Sequence, residues 1–233
     1  MLNECKHKQM KIKKGFFITG TNTGVGKTST ACLLLKTLNS QGYKTAALKP
    51  VATGCEQTSQ GLRSADALLL QDNINLKIPY QNINPFAFAP PIAPHIAAEQ
   101  AKVNLTVSSI LHACLPVLQS EVDYVMVEGV GGFCVPLNNK ETTIELAQAF
   151  NFPVILVVGL RLGCLNHALL TYQSIKATNL ALAGWVGFVC DIDMLVLEEN
   201  IKTLKNKILA PFLGKYPQCF EGGVEEIIGE INP

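Results

Sequence analysis

At 233 residues, with 48% hydrophobic and 16% charged side chains and a formal net charge of +1, the chain can bury one sizeable core. It carries no overall basic field of the kind that neutralises nucleic-acid phosphates, so a small charged ligand is the expected partner and nucleic acid is not. So high an apolar fraction suits a sheet covered on both faces, and the expected class is α/β.

In chain order, residues 1–14 come first and carry five lysines with no apolar stretch behind them. That pattern excludes a secretory signal and reads as a basic, solvated tail. An apolar run at 15–19 follows and enters GTNTGVGKTS, Gly20 to Ser29, before helical spacing over 27–38. A Gly-rich turn between a strand and a helix lets backbone N–H groups converge on phosphate oxygens. The helix N-terminus adds positive potential, Lys27 reaches the outer phosphates and the Thr28 hydroxyl can ligate magnesium. The usual first glycine position is Thr21 here and Gly20 lies one residue further out, so the loop is a G-x5-G-K-T variant.

A second β-rich run at 45–48 ends at Lys49-Pro50-Val51-Ala52-Thr53-Gly54. Lys49 therefore falls at the carboxyl end of the sheet, where doubly wound folds hold ligands. Asp66 follows within Arg63-Ser64-Ala65-Asp66-Ala67, in what reads as the first turns of a helix, where an acid is ordinarily a dipole partner. Pro79, Pro85, Pro90, Pro91 and Pro94 predict a long surface loop over 79–94.

Helical spacing resumes over 105–118, then comes a strand at 124–127 closed by Glu128 and followed by Gly129, Gly131 and Gly132. An acid at a strand end near Thr28 is the better candidate for a hard magnesium ligand. Strands at 154–158 and 182–189 and helices at 166–178 and 195–207 complete a βαβ rhythm, which predicts a mostly parallel, doubly wound sheet flanked by helices. No repeat or linker-like tract appears, so residues 15–233 read as one domain. No run is long enough to span a bilayer. The eight cysteines have no C-x-x-C pair and lie mostly in apolar runs, so the expectation is buried thiols in a reducing cytoplasm rather than disulfides. His95, His112 and His167 read as structural.

Taken together, GTNTGVGKTS, KPVATG, LRSADALLL, APPIAPHIAA, VEGVGG, PVILVVGLRLGCLNHALLT and LALAGWV resemble the dethiobiotin synthetase family, in that order. The resemblance implies a cytoplasmic, homodimeric, single-domain P-loop NTPase fold. It implies an enzyme that converts 7,8-diaminononanoate, CO2 and ATP, with Mg2+, into dethiobiotin, ADP and phosphate, the penultimate step of biotin synthesis. By the same resemblance Thr28, Asp66 and Glu128 are the metal ligands. The nucleotide-contacting residues are Gly24, Val25, Gly26, Lys27, Thr28, Ser29, Asp66, Glu128, Gly129, Val130, Gly131, Pro217 and Gln218. Lys49 matches the active-site lysine, beside Lys27. Thr53 takes the place of a substrate-contacting serine, and Asn166 serves the diamino acid across the dimer interface.

Two departures accompany the match. Phe188 stands where the family often has an Asn that reads adenine, and a phenyl ring offers neither donor nor acceptor to a base edge. Gly24 stands where some relatives carry an acid. Two other classes share these motifs in part. ATP-driven partition switches place a signature lysine where this chain has Asn22, and cobyrinate synthases need an appended glutaminase domain for which the chain has no room.

Overall fold

The structure is a computed structural model and describes residues 14–216. Along a strand, successive side chains point to opposite faces, so Phe16 and Ile18 face one way and Phe17 the other. All three are buried, and a strand covered on both sides must be apolar throughout. This is why the first apolar run shows no alternation.

Strand β1 (Lys14–Gly20) leads into α1 (Lys27–Ser40), β2 (Thr45–Leu48), β3 (Val51–Thr53), the hairpin of β4 (Glu56–Thr58) and β5 (Gly61–Arg63), α2 (Ala65–Asn73), α3 (Tyr80–Ile83), β6 (Phe86–Phe88) and α4 (Pro94–Gln100). Then follow α5 (Val107–Leu118), β7 (Tyr124–Glu128), α6 (Thr143–Phe150), β8 (Val154–Leu160), α7 (Cys164–Lys176), β9 (Leu182–Val189), α8 (Leu197–Lys207) and β10 (Phe212–Tyr216). Six of the strands form one sheet in the order β10-β9-β8-β1-β7-β2, with every neighbouring pair parallel. Chain order reverses beside β1, and such a switch point opens a crevice at the carboxyl ends of the strands.

Two apolar layers sandwich the sheet. On one face Phe16, Ile18, Met126 and Val157 pack with Leu34, Leu35 and Leu38 of α1 and Leu70 of α2. On the other, Phe17, Val127, Leu156 and Trp185 pack with Ile110 of α5, Leu146 of α6, Tyr172 of α7 and Leu204 of α8. The expected α/β class and parallel sheet are observed, and all five expected strands and four expected helices form with their ends shifted by two residues or fewer.

The differences have local causes. The 79–94 segment is not an open loop. Pro79 caps α3, Pro85 precedes β6, and Pro94 sits in the first turn of α4, where its missing N–H costs nothing. The helix α6 was not expected, although Thr142 and Glu145 form a reciprocal capping box at its start. Lys14, expected as the end of a basic tail, opens β1. Not every thiol is buried: Cys55, Cys114 and Cys164 are, Cys32 and Cys190 are half-buried, and Cys134 is exposed. Among the described residues no helix is long and apolar enough to cross a membrane.

Trp185, the only tryptophan of the chain, is fully buried in β9, 4.4 Å from the ring of Phe212. Trp185→Ala leaves a large cavity in a close-packed layer, and we expect a loss of about 3–5 kcal/mol in denaturant unfolding followed by far-UV circular dichroism.

Candidate functional site

The register of three adjacent strands builds the site. In the β1–β7 ladder Ile18 lies opposite Glu128, and in the β2–β7 ladder Leu48 lies opposite Val127. Lys49, one residue past Leu48, is therefore level with Glu128, and Glu128 sits beside the strand that runs into the phosphate loop. Lys49 Nζ donates to Glu128 Oε1 at 2.5 Å and to Asp66 Oδ2 at 2.9 Å. The Lys49 and Glu128 side chains are 4% and 1% exposed, whereas Asp66 at 46% opens towards solvent.

Burial alone would lower the Lys49 pKa, but the carboxylates of Glu128 and Asp66 outweigh it and the net shift is upward. Burial likewise opposes the charge on Asp66, and Lys49 overrides it, so that carboxyl titrates below its ordinary range. Lysine and aspartate thus hold each other charged.

The Thr28 hydroxyl donates to the same Oε1 of Glu128 at 3.0 Å, and Thr28 also helps to lower the Asp66 pKa. Glu128 Oε2 is buried with no partner among the described residues. A buried carboxylate oxygen costs free energy unless something neutral or positive meets it. Thr28, Asp66 and Glu128 together form an all-oxygen donor set of the hardness that Mg2+ prefers. Among the described residues there is no cluster of three His, Cys, Asp or Glu, so a metal held here needs further oxygens from phosphate or water.

The loop itself is set by backbone conformation. Gly26 has φ +87, in the left-handed region, and a Cβ placed there would fall inside the ring of Phe188. Its carbonyl accepts from Thr30 N at 2.9 Å and so begins α1. Val25 turns inward and is buried. Thr21, at the usual first-glycine position, ties the loop to β8: its N–H donates to Val157 O at 3.0 Å and its hydroxyl accepts from Gly159 N at 3.1 Å. Lys27 Nζ donates to the carbonyl of Asn22 at 2.9 Å, within the loop.

A cleft of about 680 Å3 joins these groups, within the usual range for a small-molecule site. It is lined by Gly24, Gly26, Lys27, Thr28 and Ser29 of the loop and α1, by Lys49, Thr53, Asp66 and Glu128, and by Val130 and Gly131 after β7. Gly129 offers its carbonyl to Lys49 Nζ at 3.4 Å. Asn166, near the start of α7, is exposed and does not line the cleft of the single chain. Pro217 and Gln218 lie outside the described residues. None of His95, His112 and His167 lines the cleft.

A family model described as an AAA domain matches residues 14–219. A protein named ATP-dependent dethiobiotin synthetase BioD from Pseudomonas aeruginosa is 50% identical over 217 residues, covering 93% of this chain and 95% of its own length. Its namesake from Cellvibrio japonicus is 51% identical over 206 residues, covering 88% and 90%. The chain belongs to the dethiobiotin synthetase family. The fold reaches further than the family: a plasmid partition protein of Borrelia burgdorferi bound to AMPPNP matches at TM-score 0.55 and 15% identity over 95% of this chain and 98% of its own. The septum site-determining protein MinD of Pyrococcus horikoshii, complexed with Mg-ADP, matches at TM-score 0.54 and 14% identity, over 89% and 82%. These likenesses concern the fold alone.

Within this dethiobiotin synthetase-family chain, sequence reasoning missed the residues that hold Lys49 in place. The buried Asn84 donates to Lys49 O at 2.7 Å, and Lys49 N donates to Ile83 O at 2.8 Å. Tyr80 hydroxyl donates to Asn84 Oδ1 at 3.0 Å and accepts from Ser64 N at 2.7 Å. Ser64 is the N-cap of α2, the helix that presents Asp66. One hydrogen-bonded chain thus fixes both ends of the Lys49–Asp66 pair, and a proline-rich segment gave no sign that it would supply two links of it. Pro91 to Pro94 also form one wall of the cleft.

Burial, aided by the positive charge of Lys49, lowers the Lys27 pKa to about 8. A bound polyphosphate favours the charged lysine, so binding is strongest below that value and takes up a proton above it. Between pH 7 and pH 9 the charged fraction of the free loop falls from about 90% to about 10%, and we expect about tenfold weaker nucleotide affinity at pH 9 by titration calorimetry. The proton uptake should appear as a buffer-dependent heat.

Proposed function

We propose that this chain is an ATP-dependent dethiobiotin synthetase, a ligase that joins CO2 to the two amines of 7,8-diaminononanoate as a cyclic urea. The observation that carries this reading is Lys49, buried and charged between Asp66 and Glu128 in the same cleft as the phosphate loop. Family membership supplies the substrate.

One substrate amine takes up CO2 as a carbamate, losing a proton. A carbamate oxygen attacks the γ-phosphorus of ATP, ADP departs, and a mixed carbamic–phosphoric anhydride remains. The second amine attacks the carbonyl carbon and expels phosphate, which closes the ring. No side chain needs to act as a nucleophile, so the protein's task is placement and charge compensation.

Lys27, at the mouth of the backbone cradle, lies on the path of the β- and γ-phosphates, while Gly24 to Ser29 and Val130 to Gly131 enclose the nucleotide. Lys49 places its ammonium where an anionic carbamate meets the γ-phosphate and offsets the charge that builds there. Thr53, in the same cleft, offers a hydroxyl to the diamino acid. Mg2+, held by Thr28, Asp66 and Glu128, would neutralise phosphate charge when bound. The buried Glu128 Oε2, without a partner among the described residues, supports that assignment.

The site is shared between two copies of the chain. Leu162 and Leu170 are 93% and 58% exposed and flank Asn166 in the sequence, and a second copy that covered them would bring Asn166 to its partner's diamino acid. The setting we assign is the cytoplasm, where ATP and reduced thiols coexist.

Phosphate release should depend strictly on both the diamino acid and bicarbonate, and indifference to both would overturn the assignment. Lys49→Ala should lower dethiobiotin formation by about 10³-fold while leaving the thermal shift on ATP binding measurable. Leu170→Glu should convert a dimer to a monomer in sedimentation velocity and raise the KM for the diamino acid far more than that for ATP.

A further inference from the structure

Lys49 lies one residue beyond the last pair of the β2–β7 ladder, in which Leu48 stands opposite Val127. β2 is also the edge strand of the main sheet, and Pro50 behind it has no N–H to carry a ladder further. The backbone that bears the ammonium is met from outside that sheet instead. Its N–H donates to Ile83 O at 2.8 Å, and its carbonyl accepts from Asn84 Nδ2 at 2.7 Å.

Asn84 and Tyr80 are both buried, and neither lines the cleft, so neither touches a reactant. Burying two polar side chains costs free energy that apolar ones of the same shape would not, so packing alone gives no reason for them. Their bonds run in one direction. Asn84 Oδ1 accepts from the Tyr80 hydroxyl at 3.0 Å, and that hydroxyl accepts from Ser64 N at 2.7 Å. Ser64 is the N-cap of α2, and Asp66 follows two residues later. The backbone of Lys49 and the helix that carries one of its two anions thus hang from the same pair of side chains.

We infer that Tyr80 and Asn84 are positioning residues of the ligase reaction, a single hydrogen-bonded strut that sets where the Lys49 ammonium and Asp66 stand relative to the phosphate loop. The inference rests on the proposed function for the reaction that is measured. A group that compensates developing charge acts only from the right place, and a displacement of about 1 Å costs about a hundredfold in rate. The phosphate loop is anchored separately, on β8 through Thr21. Breaking the strut therefore slows the chemistry and leaves the nucleotide bound.

The test uses the full-length chain with ATP, Mg2+, the diamino acid and bicarbonate, well below the unfolding temperature of each variant. Tyr80→Phe and Asn84→Ala should each lower kcat for dethiobiotin formation by about ten- to a hundredfold, with KM for ATP changed by about twofold or less. Because one strut can be broken only once, the double variant should match the worse single one to within about threefold. Tyr172 supplies the control: it is another buried tyrosine whose hydroxyl accepts from a backbone N–H, that of Leu209 at 3.2 Å, and it does not line the cleft. Tyr172→Phe should keep its kcat. Full kcat in folded Tyr80→Phe, an equal loss in Tyr172→Phe, or losses that multiply in the double variant would each overturn the inference. Should Asn84→Ala fail to fold, Tyr80→Phe against Tyr172→Phe decides the matter, since each removes one oxygen. A wild-type chain that forms no dethiobiotin overturns the ligase reading, and the inference with it; a wild-type chain that turns over beside unimpaired variants overturns the inference alone.

Discussion

Everything in the site is arranged around one buried charge, the Lys49 ammonium. Two charges taken out of water cost more than a simple contact returns unless each is fully met, which is why a buried pair is poor evidence of stability in itself. Here the lysine is over-compensated: Glu128 and Asp66 both accept from it, and Thr28 adds a hydrogen bond to Glu128. The result is an assembly with a cation already seated among carboxylates, beside a loop shaped for anions. Such a pre-set field is what a reaction with accumulating negative charge requires, since nothing must reorganise when the charge develops.

The cost of that arrangement is carried by the elements behind it. Parallel register brings Lys49 level with Glu128, but register alone leaves the strand-end backbone free to move. Asn84 and Tyr80 remove that freedom by linking the Lys49 backbone to the cap of α2, and Arg63 lies over the Tyr80 ring at 4.2 Å. The small β3–β6 sheet, in which Val51 pairs with Phe86, holds the segment between Lys49 and Thr53 against the proline-rich stretch. This second, smaller sheet lies outside the main six-stranded one and shapes one wall of the cleft.

The phosphate loop shows how a variant spacing preserves a function. Moving the first glycine out to Gly20 leaves Thr21 to anchor the loop on β8 with both its N–H and its hydroxyl. Val25 is buried under the loop, and Gly26 turns the chain into α1.

The sequence by itself determined the fold class, the Gly-rich strand-to-helix loop and the position of Lys49 and Glu128 at the open end of the sheet, because each is a local matter. Apolar runs report burial on both faces, Gly-x-Gly-Lys-Thr reports a strand-to-helix turn, and a polar residue that ends an apolar strand reports the open end of a sheet. Asp66 entered only through family resemblance, since an acid in a helix's first turn looks the same whether it caps a dipole or meets a lysine. Tertiary structure alone decided that Lys49, Asp66 and Glu128 touch, that Asn84 and Tyr80 hold them there, and that Phe188 and Tyr216 stack beside Gly26. Those are contacts between residues 16 or more positions apart, made by strand register and by a segment whose prolines hid its order, and no local pattern of residues encodes them.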